Sequence, residues 1–228
     1  MNTFEKKYKI NKYRQVSTEK VSELLAFDHP NLVKIFNLKI LEKEVIIEME
    51  YCDGASVGDI LQSAQINIDF VNKLIIQVLH GLDYIHSKKM LHGDLKLSNV
   101  LVDSVLQNPN FKIGDLDSIR PFNCSFETKS FYTPEIIAPE VYLEGKMDEY
   151  SDIWSFGVML YQILSSKLPF GDRNEFSLNE LRENVKKIKF VNQDPRLFPE
   201  PYNDLLLMCL VEKENRYTAK ELLEILGY

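Results

Sequence analysis

The segment His92-Gly93-Asp94-Leu95-Lys96-Leu97-Ser98-Asn99 puts a carboxylate, a cation and a neutral amide oxygen in one short stretch. Further on, Ile113-Gly114-Asp115-Leu116-Asp117 adds two more carboxylates. These residue types suit transfer of a phosphoryl group to a hydroxyl, which asks little covalent chemistry of a protein. It needs a carboxylate beside the acceptor hydroxyl, positive charge on the phosphates, and a rigid frame that keeps the groups in line. Asp94 supplies the first and Lys96 the second. Asn99 and Asp115 offer the hard oxygen ligands that Mg²⁺ prefers.

The patterning around these residues predicts the elements that hold them. A lysine-rich strand is expected near residues 4–13, with Phe4, Tyr8 and Ile10 among its apolar positions. A short helix follows at about 18–27, where Val21, Leu24, Leu25 and Phe27 recur at helical spacing. The turn Asp28-His29-Pro30-Asn31 leads into strands at 32–40 and 44–50, rich in β-branched and aromatic side chains. From residue 56 helices dominate. The longest early one is Asp69 to Lys88, its stripe formed by Val71, Leu74, Ile75, Val78, Leu82 and Ile85. Short strands at 100–102 and 111–113 follow the His92–Asn99 segment, and an apolar helix spans about 151–164. The order is a small β-rich piece followed by a larger helical one, with the boundary near Cys52–Ser56.

His-Gly-Asp-Leu-Lys-x-x-Asn followed by Gly-Asp-Leu-Asp resembles the catalytic loop and metal-binding motif of eukaryotic-type serine/threonine protein kinases. Tyr132-Thr133-Pro134-Glu135 through Ala138-Pro139-Glu140 is similar to the family's substrate-docking loop. Asp152-Ile153-Trp154-Ser155-Phe156-Gly157 resembles the start of the buried helix whose aspartate braces the catalytic loop, and Arg216 is the expected partner of Glu140. Met49-Glu50-Tyr51-Cys52 is similar to the hinge that holds adenine through its backbone, with Met49 as gatekeeper. The likeness covers residues 20 to 226. It implies an α+β, two-lobed kinase-like fold, with a reduced N-lobe and hinge over about 1–52 and a helical C-lobe over about 53–228. The implied roles follow position by position. Asp94 orients the substrate hydroxyl, Lys96 contacts the γ-phosphate, Asn99 and Asp115 hold Mg²⁺ on ATP, and Thr133 bonds to Asp94 and Lys96. His92 is a packing residue in this pattern. Read as mere solvated loop residues, Asp94, Lys96, Asn99 and Asp115 would leave the ordered motifs around them unexplained.

The chain departs from the family pattern in four places. No glycine precedes Gly54, so the glycine hairpin that covers ATP is missing from these residues, and Met1 falls where the family is already in mid-lobe. Lys6, Lys7, Lys9 and Lys12 all lie in the candidate strand; Tyr8-Lys9-Ile10 fits the apolar-Lys-apolar pattern best, making Lys9 the expected phosphate lysine. The helix position of its pairing glutamate holds Lys20, and Glu19 or Glu23 substitutes only with a shift of register. Gly93 replaces an arginine and Asp117 a glycine. Without that arginine a phosphate on Ser125, Thr128 or Ser130 has no evident partner. For Asp117 a turn cap is favoured over an additional metal ligand.

Composition narrows the function classes. Lys plus Arg total 27 against 34 Asp plus Glu, a net charge of -7, which is the wrong balance for a protein that neutralises nucleic-acid phosphates. No apolar run approaches the ~18 residues of a membrane span. The three cysteines, Cys52, Cys124 and Cys209, are odd in number and widely spaced, so a reducing, cytoplasmic setting is expected with no disulfide framework. Cys52 borders the adenine pocket with nothing nearby to activate it. Three readings are carried forward. An active minimal serine/threonine kinase using ATP and Mg²⁺ comes first. A pseudokinase acting as a binding module, or a truncated kinase, comes next. A small-molecule phosphotransferase comes last, because the Ala-Pro-Glu segment and Asp152–Gly157 serve a protein-substrate groove. The expected partners are a protein substrate or regulator, and a partner or second copy covering the exposed strand edges of the reduced lobe.

Overall fold

A computed structural model describes residues 2–9, 18–63, 66–103, 108–125, 133–186 and 198–228, with the backbone alone at 18 and 19. The first three strands, β1 (Thr3–Lys9), β2 (Ile35–Ile40) and β3 (Glu44–Glu50), form one antiparallel sheet in the order β1-β3-β2. Helix α1 (Thr18–Ala26) lies between β1 and β2 in the chain and buries Leu24. Residues 10–13 of the expected first strand, and the Glu19 side chain, lie outside the described residues. β1 is an end strand of the sheet, so its outer side pairs with no described strand.

The strand expected from residue 32 begins at Ile35 instead. The preceding residues pair elsewhere: Leu32 bridges Ile113 in parallel, and the Val33 N–H donates to the Ile113 carbonyl at 2.9 Å. The Asn31 side chain donates to the Phe111 carbonyl at 3.0 Å. These bonds tie the small sheet to the strand that leads into Asp115.

The helical part begins with α2 (Val57–Ser63) and α3 (Ile68–Ser87). Asn67 caps α3 by accepting the Phe70 N–H at 2.8 Å. All the stripe residues Val71, Leu74, Ile75, Val78, Leu82 and Ile85 are buried. Next come β4 (Met90–Leu91), β5 (Val100–Asp103), β6 (Asn110–Ile113), β7 (Arg120–Pro121) and β8 (Cys124–Ser125). β5 pairs with β6, while β4 pairs with β7. Helix α4 (Pro139–Glu144) precedes β9 (Lys146–Met147), which pairs with β8. The remaining helices are α5 (Glu149–Ser165), α6 (Leu178–Lys186), α7 (Tyr202–Cys209) and α8 (Ala219–Ile225).

Helix α5 opens with a reciprocal capping box between Asp148 and Ser151. From Ser151 to Leu160 every residue is buried, as expected of a helix enclosed on all sides. Gly157 permits that enclosure, since a β-carbon there would sit 2.7 Å from Cβ of Cys209 on α7. One apolar cluster joins Leu24, Val45 and Ile47 of the small part to α3, α5 and α8. This is the expected α+β arrangement. No helix among the described residues is long and apolar enough to cross a membrane.

Candidate active site

The β5–β6 hairpin sets the spacing of the two motifs. Val100 lies opposite Ile113, and the Gly114 N–H donates to the Asn99 carbonyl at 2.7 Å. The ends of the two strands therefore deliver Asn99 and Asp115 to the same place. Asp115 sits in the left-handed region at φ 56, where few side chains other than Asp and Asn are tolerated.

The segment before β5 is held from behind by Asp152 on α5. Its Oδ2 accepts the His92 N–H at 2.7 Å, and its Oδ1 accepts the Gly93 N–H at 2.9 Å. His86 Nε2, from the end of α3, lies 2.9 Å from the same Oδ2. Burial pushes the Asp152 carboxyl up, but the hydrogen bonds it accepts from His86 and from the Gly93 N–H outweigh it and hold it below the usual aspartate range. Gly93 has φ 79, and a β-carbon there would approach Leu91 Cδ1 at 3.1 Å, so an arginine at this position would be strained. His92 is fully buried, its Nε2 donating to the Gly114 carbonyl at 2.8 Å and its Nδ1 accepting the Asp94 N–H at 3.3 Å. It packs and bridges the two motifs, as expected.

Asp94, Lys96, Asn99 and Thr133 converge. Lys96 Nζ donates to Asp94 Oδ2 at 2.7 Å and to Thr133 Oγ1 at 2.6 Å. Asn99 Nδ2 donates to the Asp94 carbonyl at 2.8 Å. Asp94 Oδ1 has no hydrogen-bond partner among the described residues, so one carboxylate oxygen is left to accept an incoming proton. Below them, Arg216 donates to both carboxylate oxygens of Glu140, at 2.7 and 3.1 Å, and stacks its guanidinium 5.0 Å over the Trp154 ring. This is the pair expected to close the docking loop. Tyr132, Thr128 and Ser130 lie outside the described residues.

The lysine of β1 that reaches the two motifs is not the one expected from the sequence. Lys9 is exposed at the end of β1, opposite Glu44. Lys6 is the lysine that reaches the motif: its Nζ contacts Asp115 Oδ1 and lies 2.7 Å from Asp117 Oδ1. The reason is strand alternation. Phe4, Lys6 and Tyr8 share one face of β1, while Lys7 and Lys9 point the other way. The period-2 pattern carried that signal; the local Tyr-Lys-Ile match obscured it. Asp117 also departs from its expected role as a turn cap. It is 8% exposed and lies in the turn Leu116–Ser118, where its carboxylate faces Lys6 and its carbonyl accepts Lys20 Nζ at 2.6 Å. Glu23 is exposed on α1.

At the hinge, Met49 is half-buried and pairs across the sheet with Phe4, which is 50% exposed. The Glu50 carboxylate is committed to the scaffold. Its Oε1 accepts Lys112 Nζ at 2.6 Å and its Oε2 accepts the Lys34 N–H at 3.2 Å, so any contribution of Glu50 to the cleft is confined to its main chain. The buried Lys112 has no counterpart in the sequence reading. Cys52 is buried, and desolvation, reinforced by the nearby charge of Glu50, pushes its thiol up to about 12.

For a divalent cation the donor set is Asp115 and the Asn99 amide oxygen. Asn99 commits its NH₂ to Asp94, which turns its oxygen into the group that can ligate. Two protein oxygens suit Mg²⁺, which keeps water and phosphate ligands for its remaining positions. The residues present therefore fit this cation.

Comparison with known proteins agrees with this geometry. The family model described as the protein kinase domain matches residues 2–225. The chain is 30% identical over 215 residues to CBL-interacting serine/threonine-protein kinase 19 of Arabidopsis thaliana, covering 90% of this chain and 42% of that protein. It is 30% identical over 216 residues to serine/threonine-protein kinase unc-51 of Caenorhabditis elegans, covering 90% and 25%. To 3-phosphoinositide-dependent protein kinase B of Dictyostelium discoideum it is 34% identical over 175 residues, covering 74% and 19%. The chain thus spans less than half the length of these curated relatives. With nearly its whole length matched and its catalytic-loop groups converging, the chain belongs to the protein kinase family.

Proposed function

We propose that the chain is a serine/threonine protein kinase that transfers the γ-phosphoryl group of ATP to a protein hydroxyl. The observation that carries the reading is the Lys96 ammonium bridging Asp94 and Thr133, with Asp94 Oδ1 left to accept. Asp94 orients the substrate hydroxyl and takes its proton as the oxygen bonds to phosphorus and the bond to the ADP oxygen breaks. Lys96 holds the γ-phosphate oxygens in line, and Thr133 fixes the Lys96 rotamer. Asn99 and Asp115 would hold Mg²⁺, which supplies charge neutralisation on the phosphates. Lys6 contacts the phosphates from above. The backbone of Glu50 and Cys52 and the side chain of Met49 receive the adenine. The buried Arg216–Glu140 pair and the relatives' names support a protein substrate over a small molecule.

A second reading, a kinase-like binding module, is favoured by one observation. Lys6 contacts Asp115 directly, which occupies the carboxylate that the metal would need. Mg²⁺-dependent ATP binding separates the two. For the kinase reading, wild type binds MgATP and transfers ³²P to a generic protein acceptor. Asp115→Asn abolishes the metal-dependent signal, and Asp94→Asn retains binding while losing turnover. Absence of binding at millimolar MgATP refutes the kinase reading in favour of the binding module.

A further inference from the structure

Two departures from the family pattern, noted separately in the sequence, meet in space. The helix position expected to hold an acid carries Lys20, and the position expected to hold glycine carries Asp117. In the structure Lys6 Nζ lies 2.7 Å from Asp117 Oδ1, and Lys20 Nζ donates to the Asp117 carbonyl at 2.6 Å. The Asp117 side chain is 2% exposed, against 30% for Asp115. We propose that Asp117 is the fixed counter-ion of Lys6, a positioning residue that has taken over the task of the missing helix glutamate.

The physical need follows from the proposed function, on which the nucleotide part of this inference rests. A lysine that steers phosphates must be held by an anion that stays put when nucleotide arrives. Asp115 does not meet that need, because a cation would draw its carboxylate away. Asp117 does: it is buried behind Asp115 in the same turn, and leaving it unpaired would strand a carboxylate out of water. Holding Lys6 on Asp117 releases Asp115 for metal, so the Lys6–Asp115 contact becomes a resting arrangement and not a permanent block. The swap also changes how the site is controlled. In family members a lysine–glutamate pair depends on where the helix sits. Here both anions belong to one turn, and α1 attaches through Lys20 to a main-chain carbonyl. Among the described residues, the Lys6 pair therefore uses no acid of α1, whose Glu23 is exposed.

The test has two parts, one of which needs no nucleotide. In the unliganded protein, urea unfolding of Lys6→Met, Asp117→Asn and the double variant forms a cycle. The expected coupling is about tenfold or more in the unfolding equilibrium constant; additive effects overturn the assignment. In the second part, Asp117→Gly weakens MgATP binding by about 10–100-fold, the range for groups that orient a metal site from behind. Asp117→Gly/Lys20→Glu recovers at least tenfold of that loss, and Glu23→Gln leaves binding unchanged. Asp117→Asn serves as the conservative variant should Asp117→Gly fold poorly. A purely structural role lowers the melting temperature without changing the affinity of the folded protein, and that result overturns the positioning claim, as does failure of the swap to restore binding. Coupling in the cycle with no MgATP binding by wild type refutes the kinase reading while the counter-ion assignment stands.

Discussion

Lys6→Met, set beside Lys9→Met, tests the placement of the phosphate lysine. Removing the Lys6 ammonium leaves Asp117, with a side chain only 2% exposed, facing methionine carbon in place of a cation at 2.7 Å. Breaking a fully buried pair costs about 3–5 kcal/mol. The Lys6 side chain is 26% exposed, so solvent screens part of this interaction, and about 2–3 kcal/mol is the expected loss. That is roughly a 30- to 150-fold shift in the unfolding equilibrium at 25 °C. Lys9 is exposed on the opposite face of β1, and its substitution falls within about 0.5 kcal/mol of wild type. Urea unfolding followed by tryptophan fluorescence reads both, since Trp154 is the single tryptophan. MgATP titration by calorimetry reads the functional side, where Lys6→Met weakens binding and Lys9→Met does not. Equal effects of the two variants, or a larger effect at Lys9, would refute the reasoning.

Three further outcomes are expected. Arg216→Lys destabilises by about 3 kcal/mol or more by chemical denaturation, because an ammonium reproduces neither the bidentate bond to the buried Glu140 nor the stacking on Trp154. Asp152 has a folded-state pKa below the ordinary value of 3.8, so its ionised form contributes stability that is present above that value and lost as pH falls through the folded one. The stability gap between wild type and Asp152→Asn is therefore level from pH 7 to about 4.5 and closes below 3.8 in urea melts at stepped pH. Cys52 and Cys209 are buried and their thiols are pushed up to about 12, so iodoacetamide at pH 8 leaves both unmodified in the native protein by mass spectrometry and labels both after unfolding.

The elements that position the site were largely readable because their cause is local. The α3 stripe follows from helical side-chain periodicity, the α5 run from its continuous apolar composition and β3 from its β-branched residues, and the two helices have their N-caps in the residues just before them. The strand expected from residue 32 starts only at Ile35 because Leu32 and Val33 bond to Ile113, some eighty residues away, and not to the strand beside them. The two-residue pairs β4–β7 and β8–β9 likewise join distant segments through too few residues to leave a pattern. The catalytic-loop residues Asp94, Lys96 and Asn99 were legible because they lie within one turn of chain, where order and spacing already bring them together.

What the sequence by itself determined was therefore the inventory: the residue types, their order, the helix faces that bury them and the family to which they point. What only the tertiary structure decided was partnership. Lys6, and not Lys9, meets Asp115, because the register of β1 on β3 selects which face of the strand looks into the cleft. Asp117 takes up an ion pair because burial makes an unpartnered carboxylate costly and Lys6 reaches it from 111 residues earlier in the chain. Glu50 turns to Lys112 for the same reason. Charge pairing acts over a few ångströms of space, and distance in space is what a linear sequence does not carry.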